Sequence, residues 1–120
     1  FANKFNIDIF FTNNNIKEMK KGLYKNDLLI KEENLKEKIT MLGLNQKLCG
    51  QSAFTLIFTS NSTENYFYTY ILSGFIAQIL YLRTTSINLF CSGIGAYFDD
   101  ETKEFLNTKS NVFYFFAIGK

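Results

Sequence analysis

The sequence has 120 residues, of which 47% are hydrophobic and 18% aromatic, and its formal net charge is +2. This length is enough for one core but not two, and the apolar side chains exceed what one interior needs, so some should face a partner chain. The lysines are interspersed with acids and form no one-sided basic stripe, which argues against a nucleic-acid partner. Histidine is absent, which excludes Ser-His-Asp and Cys-His catalysis and ordinary zinc sites built from this chain alone.

The N-terminal sequence predicts a strand and a hairpin. Residues 5–12 alternate partly between apolar and polar side chains and are rich in aromatics, which is typical of a strand. The asparagine run at residues 13–15 closes it. Residues 22–30 resemble a hairpin in which the Asn26-Asp27 pair suits the turn.

A helix and a buried strand are predicted next. Apolar residues at helical spacing indicate a surface helix over residues 33–42, with Asn34 as its cap and Gly43 as its end. A short helical turn over residues 46–51 follows. Residues 53–58 are continuously apolar and favour β-structure, so they should form a central strand buried on both faces.

The longest apolar stretch covers residues 66–82. Polar and small side chains interrupt it, so a buried helix is favoured over a membrane span. Hydroxyl and amide side chains before it can cap such a helix. The stretch is apolar on nearly every side, and Ser73, Gly74 and Ala77 allow another helix to approach closely. These features predict a long helix buried in a dimer.

The remaining sequence predicts two strands separated by a helix. Residues 87–91 indicate a buried strand that Gly93 and Gly95 break, and residues 99–106 a helix with acids in its first turn. Residues 112–118 form a last strand of almost purely aromatic character. Strands separated by helices, with no internal repeat, indicate one α+β or three-layer domain around a mixed sheet.

Two features concern the setting of the chain. Cys49 and Cys91 lie in apolar sequence without the paired spacing of a metal or redox site, so we expect buried free thiols and a reducing, cytoplasmic compartment. No N-terminal signal is visible. The chain begins with Phe1 in strand-like sequence, and we expect it to be a piece of a longer protein.

A glycine-rich segment between the predicted strand and helix is the candidate site. It comprises Ser92, Gly93, Ile94 and Gly95, followed by Ala96. Free backbone N–H groups at such a turn can meet a ligand oxygen, and glycines allow close approach. Most strand-to-helix turns use glycine for steric reasons alone, so the local sequence leaves both interpretations open.

The order of these motifs resembles the C-terminal half of the nitroreductase superfamily, especially the SagB-type dehydrogenases of peptide-tailoring gene clusters. In those proteins a small-Gly-x-x-x-Gln helix leads to a strand, a glycine turn, an Asp-rich helix start and a final strand ending in glycine. The corresponding residues here are Ser73-Gly74, Gln78, residues 87–91, Gly93-Ile94-Gly95, Asp99-Asp100 and Gly119. Upstream, residues 1–11, 22–27 and 49–61 are similar to the family's first strand, its hairpin and its central strand.

The resemblance implies a nitroreductase-like three-layer α+β fold, with a mixed, mainly antiparallel sheet and a long buried helix at a dimer interface. Residues 1–120 would be the C-terminal portion of one FMN-binding domain. Such proteins are usually dimers that hold FMN at the interface and transfer hydride to or from it. The resemblance therefore implies a homo- or heterodimer acting on a peptide or small molecule. Ser92, Gly93, Ile94 and Gly95 would lie against the flavin.

Departures from the family pattern leave catalysis open. The arginine-rich element that binds the FMN phosphate would precede Phe1, and the Lys-Tyr pair used for proton transfer is replaced by Ser60-Asn61. Neither replacement residue is a base near neutral pH. The small-Gly-His pattern that is frequent in the family's helix becomes Gly74-Phe75 here, and its frequent Gln-Asn becomes Gln78-Ile79. The alternative is a degenerate, non-catalytic homologue that serves as a scaffold or partner subunit.

Three further features have a functional and a structural interpretation. Arg83, the sole arginine, could hold a phosphate or carboxylate, but an ion-paired or solvated residue at a helix end is favoured. For Lys120 a terminal charge is favoured over a phosphate contact. Asp99 and Asp100 are interpreted as residues of a helix start and not as a catalytic pair.

Overall fold

The computed structural model describes residues 7–26, 28–44, 46, 50–60, 66–87, 89–94 and 97–119, with the side chains of residues 66–70 and 90 excepted. In chain order its elements are β1 (Ile7–Asn13), β2 (Gly22–Lys25), β3 (Leu28–Glu32), α1 (Lys36–Leu42), β4 (Phe54–Ser60), α2 (Tyr66–Ser86), β5 (Phe90–Ile94), α3 (Asp99–Leu106) and β6 (Asn111–Gly119). The strands and longer helices predicted from the sequence are present. Of the short helical turn predicted at residues 46–51, Gly50 and Gln51 are helical, and residues 47–49 lie outside this description.

One six-stranded sheet organises the fold. Its strand order is β3-β2-β1-β4-β6-β5, and each of the five pairings among these strands is antiparallel. Strands β4 and β6 lie inside the sheet, as predicted for residues 53–58, while β3 and β5 form its edges. The α+β class is confirmed.

Helices cover the two faces of the sheet. On one face α2 packs through Leu72 and Ala77, which join clusters containing Phe58 and Phe116. On the other face α1 and α3 pack against a cluster that includes Phe115. The result is the three-layer arrangement expected from the sequence.

Burial on both faces explains the aromatic character of β6. Phe115 packs towards α1 and α3, whereas Phe116 packs towards α2. A strand with one solvated face would alternate apolar and polar residues, but an interior strand of a three-layer domain has no solvated face. Each aromatic ring brings a large buried apolar area to the core.

Within a single chain, α2 is buried along one side only. Its sheet-facing side contains the buried residues Leu72 and Ala77, while Ile71, Phe75 and Leu82 on the opposite side are 55%, 54% and 60% exposed. The burial on every side that the sequence predicts is therefore not present within this chain. Among the helices in the described part of the chain, none has the length and apolar character needed to cross a membrane.

The asparagines at the end of β1 form buried hydrogen bonds that a simple turn does not require. Asn13 Nδ2 lies within hydrogen-bond distance of the carbonyl oxygens of Ile16, Met19 and Lys20, at 3.0, 2.8 and 3.2 Å. Its Oδ1 accepts from the Ile16 N–H at 2.8 Å. Asn13 is fully buried, so these bonds replace the water that its amide loses on folding.

The next two asparagines connect this loop to the segment before β4. Asn14 Nδ2 donates to Ser52 Oγ at 3.3 Å and to Thr55 Oγ1 at 3.1 Å. Asn15 Nδ2 donates to the carbonyl oxygen of Ser52 at 2.8 Å and to that of Gln51 at 3.1 Å. These bonds join residues nearly forty positions apart, which a reading of local turn chemistry did not anticipate.

The boundaries of two elements differ from the sequence predictions. Helix α1 begins at Lys36 and not at residue 33, although Asn34 Oδ1 accepts from the Lys36 N–H at 3.2 Å, as a capping residue would. Strand β5 begins at Phe90 and not at residue 87. Cys91 is a buried free thiol whose sulfur accepts from Thr84 Oγ1 at 3.1 Å; Cys49 lies outside the described residues.

The end of α1 places a strained conformation on leucine. Gly43 caps the helix, as predicted, but its φ of −85° is ordinary, while Leu44 has a φ of 57°. The left-handed region costs a residue with a Cβ roughly 1–2 kcal/mol, and glycine avoids that cost.

We expect Leu44→Gly to be more stable than Leu44→Ala, by about 1 kcal/mol in the free energy of unfolding, because both remove the same side chain but only glycine relieves the strain. Leu44→Asn should fall between them, since asparagine tolerates this region. Chemical denaturation checks the ranking. A Leu44→Ala variant equal to or more stable than Leu44→Gly would show that Leu44 is not left-handed.

Candidate functional site

A hollow of about 330 Å³ lies between α2 and the edge strand β5. The helix contributes one side of it and strands β5 and β6 contribute the other. The residues that line it are Gly74, Ala77, Gln78, Tyr81, Cys91, Ser92, Gly93, Tyr114 and Phe116. Two of the four residues predicted for the site, Ser92 and Gly93, are among them.

The hollow has an apolar floor and a polar rim. Ala77, Cys91 and Phe116 form the floor and are almost completely buried. Gln78 and Tyr114 bring an amide and a phenol to it. Small-molecule sites are typically concave and mostly apolar, with a few polar groups that fix orientation. The hollow is concave, but polar and apolar groups contribute about equally to its lining, so it is more polar than a typical small-molecule site.

Strand β5 extends to Ile94, through part of the predicted glycine turn. Ser92, Gly93 and Ile94 belong to β5 and pair with Ala117, Phe116 and Phe115 of β6. Gly93 therefore does not break the strand, which corrects the sequence prediction. The buried Ile94 packs into the core on the opposite face of the sheet, and Gly95 and Ala96 lie outside the described residues.

A neighbouring tyrosine explains the glycine within the strand. A Cβ atom placed on Gly93 would lie 2.4 Å from Tyr114 Oη, 2.9 Å from its Cε1 and 3.1 Å from its Cζ. The phenol ring of Tyr114 thus lies across the backbone of β5. The steric interpretation of Gly93 is correct, and the cause is a side chain from β6 instead of a turn.

Tyr114 has ring neighbours but no hydrogen-bond partner among the described residues. Its ring centroid is 6.3 Å from that of Phe58 and 5.9 Å from that of Phe116. The hydroxyl therefore reaches the hollow unsatisfied by this part of the protein. Tyr114 is the one tyrosine among the four aromatic residues of β6, but no sequence motif marks it as a site residue.

A second unsatisfied hydroxyl lies on α2. Ser73 is 1% exposed, and its Oγ has no hydrogen-bond partner within the described part of the chain. It lies one helical turn before Ala77, which lines the hollow. A buried unsatisfied hydroxyl costs about 1–3 kcal/mol. No contact among the described residues explains it.

Charged side chains are absent from the described lining of the hollow. Arg83 is exposed on the last turn of α2. Asp99 and Asp100 lie in the first turn of α3, as predicted. In the described ranges no group of His, Cys, Asp or Glu could hold a metal ion. Lys120 is outside those ranges.

A larger hollow of about 420 Å³ lies at the end of the sheet beside Asn15, Phe54 and Ile118. No feature of the sequence predicts it. The Asn15 amide nitrogen already donates to backbone carbonyl oxygens, so this hollow has less free polar capacity than the one beside β5. We therefore take the hollow beside β5 as the candidate site.

Solved structures share this fold. A protein from Anabaena variabilis, provisionally named a nitroreductase, superposes with a TM-score of 0.79 at 24% identity over 95% of this chain. The chain has a nitroreductase-like fold. Because identity is below 25%, this likeness establishes the fold alone. No protein-family model and no curated protein matches the sequence.

Two further structures agree. A Ralstonia eutropha protein, also provisionally named a nitroreductase, has a TM-score of 0.73 at 20% identity over 96% of this chain. The E. coli microcin synthetase McbBCD complex with truncated pro-MccB17 bound contains a chain with a TM-score of 0.74 at 14% identity over 97%. The nitroreductase-like chain spans 27%, 58% and 52% of the Anabaena, Ralstonia and E. coli chains, respectively.

We expect Gly93→Ala to lower the free energy of unfolding by about 1–3 kcal/mol, as overpacking does, because its Cβ collides with the Tyr114 ring. In a Tyr114→Leu background the same substitution should cost much less. Urea unfolding of the two single variants and the double variant measures the coupling. An equal cost of Gly93→Ala in both backgrounds would contradict the assigned contact.

Proposed function

We propose that the chain is the C-terminal portion of an FMN-binding, nitroreductase-like oxidoreductase domain and that the hollow between α2 and β5 receives the flavin ring. The observation that carries the proposal is a polar-rimmed hollow beside the Ser92-Gly93 segment of a nitroreductase-like sheet. The family resemblance of the sequence associates the same segment, continued through Ile94 and Gly95, with flavin.

The residues of the hollow fit the ring of FMN better than its phosphate. A Cβ on Gly74 would have no neighbour within 4 Å, so a flat ring can approach the helical wall of the hollow, whereas the Tyr114 ring covers the strand at Gly93. No lysine or arginine is found in the described lining. The phosphate anchor must therefore come from other residues.

In this proposal the flavin performs the chemistry, and the residues of the hollow bind and orient it. A bound flavin supplies the hydride-transfer chemistry. Gln78 and Tyr114 would orient the ring through hydrogen bonds, and the apolar floor would exclude water beneath it. We propose a peptide or a small molecule as substrate, and the free thiol of Cys91 is in keeping with a cytoplasmic location.

A non-catalytic scaffold or partner subunit is the second candidate. Ser60, one of the residues at the position of the family's proton-transfer pair, is fully buried. Histidine is absent from the sequence, and the described lining contains no carboxylate or lysine. A chain of this kind could keep the fold and its interface while another chain performs chemistry.

The exposed side of α2 is the surface we propose for dimerisation. Ile71, Phe75, Ile79 and Leu82 follow helical spacing and form one apolar stripe. Contiguous exposed apolar surface marks interaction sites in soluble proteins. Either a second copy or a related subunit would cover the stripe.

The visible absorption spectrum of the purified protein tests flavin binding directly. For this 120-residue chain alone, we expect an FMN dissociation constant weaker than micromolar. Without its phosphate clamp, FMN loses charge-assisted hydrogen bonds worth ~1.5–3 kcal/mol each. Titration followed by flavin fluorescence checks this expectation. Micromolar or tighter binding would place the anchor within these residues.

We expect Gly74→Leu to weaken self-association or subunit association by at least about tenfold, because a bulky side chain would separate the paired helices. Folding should be retained or improved, since nothing within 4 Å obstructs a Cβ there and leucine favours helix. Sedimentation equilibrium measures association. Glu101→Leu, on exposed α3, is the matched control. Unchanged association in Gly74→Leu would exclude this side of α2 as the interface.

A further inference from the structure

Two sheet hydroxyls have no hydrogen-bond partner among the described residues: Thr59 Oγ1, which is fully buried, and the phenol of Tyr114, which lines the hollow beside α2. Phe113, Phe115 and Phe116 surround Tyr114 in β6, and each is buried as a plain phenyl ring. If position 114 only filled space, phenylalanine would serve there as well. The additional group is a hydroxyl, and it lies where the ring reaches the hollow beside α2.

Two other tyrosines show how this protein satisfies a phenol. Tyr24 donates to the carbonyl oxygen of Lys20 at 2.7 Å, and Tyr97 donates to that of Val112 at 3.3 Å. Tyrosine hydroxyls usually find such partners when the ring is buried. Tyr114 is half-buried, yet its hydroxyl has no partner in the described part of the chain.

We propose that Tyr114 is a positioning residue whose hydroxyl hydrogen-bonds the polar edge of a flat, uncharged ring bound between α2 and β5. The inference rests on the proposed flavin site and names the group that orients the ring there. Gly93 allows the phenol to occupy this position. A side chain on residue 93 would collide with the phenol, at 2.4 Å from its oxygen, and displace it from the hollow.

The lining also defines the class of ligand. Gln78 offers an amide that both donates and accepts, which suits a ring edge carrying carbonyl and N–H groups. The described lining contains no charged residue, so it provides no partner for a phosphate or a carboxylate. Gly74 leaves the helical wall bare, and the flat Tyr114 ring covers Gly93 on the other wall, which favours a flat ligand. The hollow thus recognises the ring of a flavin and not its phosphate.

Riboflavin, which lacks the phosphate, is the direct probe. We expect riboflavin and FMN to bind the 120-residue chain with dissociation constants within about threefold of each other, because the hollow holds no charge for the phosphate. Two-dimensional amide NMR should show the largest shifts at Ser92, Gly93 and the Gln78 side chain. Fluorescence titration supplies the affinities.

Tyr114→Phe should weaken both flavins by about five- to tenfold, the loss expected for one hydrogen bond. Tyr97→Phe is the matched control, because it removes a phenol that already has a partner and that packs against the opposite face of the sheet. Its flavin affinity should stay within about twofold of the unmodified chain. Thermal unfolding of both variants verifies that they are folded at the titration temperature.

The outcomes separate the inference from the proposed function. Equal affinity in Tyr114→Phe and the unmodified chain, with shifts still at the hollow, would overturn the role of Tyr114 and leave the flavin site standing. Shifts confined to the hollow near Asn15 and Phe54 would overturn the inferred location while retaining flavin binding. No shift at the solubility limit of riboflavin would overturn both.

Discussion

The pairing of β4 with β6 is the constraint on which the rest of the structure depends. It extends from Phe54 opposite Ile118 to Ser60 opposite Asn111. Helices cover the sheet on both sides of these strands, so their backbone N–H and C=O groups are withdrawn from water and must bond to each other. Both helical layers pack on the surfaces that this pairing creates.

The geometry of the candidate site depends on the position of β6, which the pairing of β4 with β6 determines. Strand β5 pairs with β6 alone among the described strands, so β6 determines how far β5 lies from α2. The Tyr114 ring crosses from β6 over Gly93. A side chain at position 93 would therefore displace the Tyr114 ring whether or not a ligand binds, so the glycine by itself is no evidence of a ligand site.

Buried polar side chains after β1 are hydrogen-bonded within the chain, whereas a large apolar surface on α2 is left exposed. Asn13 and Asn14 are buried but bonded to backbone and side-chain groups, which fixes the loop after β1 against the segment before β4. The outer side of α2 is the opposite case, since Phe75 and Leu82 expose large apolar areas. Satisfied polar ties stabilise the single chain, whereas the exposed stripe favours a partner.

The sequence by itself determined the order and type of the main elements, because apolar runs and helix-start residues are local signals: residues 99–106, with acids in the first turn, were predicted as a helix and form α3. It also located Ser92 and Gly93 beside the candidate site. Only the tertiary structure revealed that Gly93 lies inside a strand, that Tyr114 crosses it, and that Asn14 bonds to Thr55. These contacts join residues distant along the chain, and local periodicity contains no information about which of them meet.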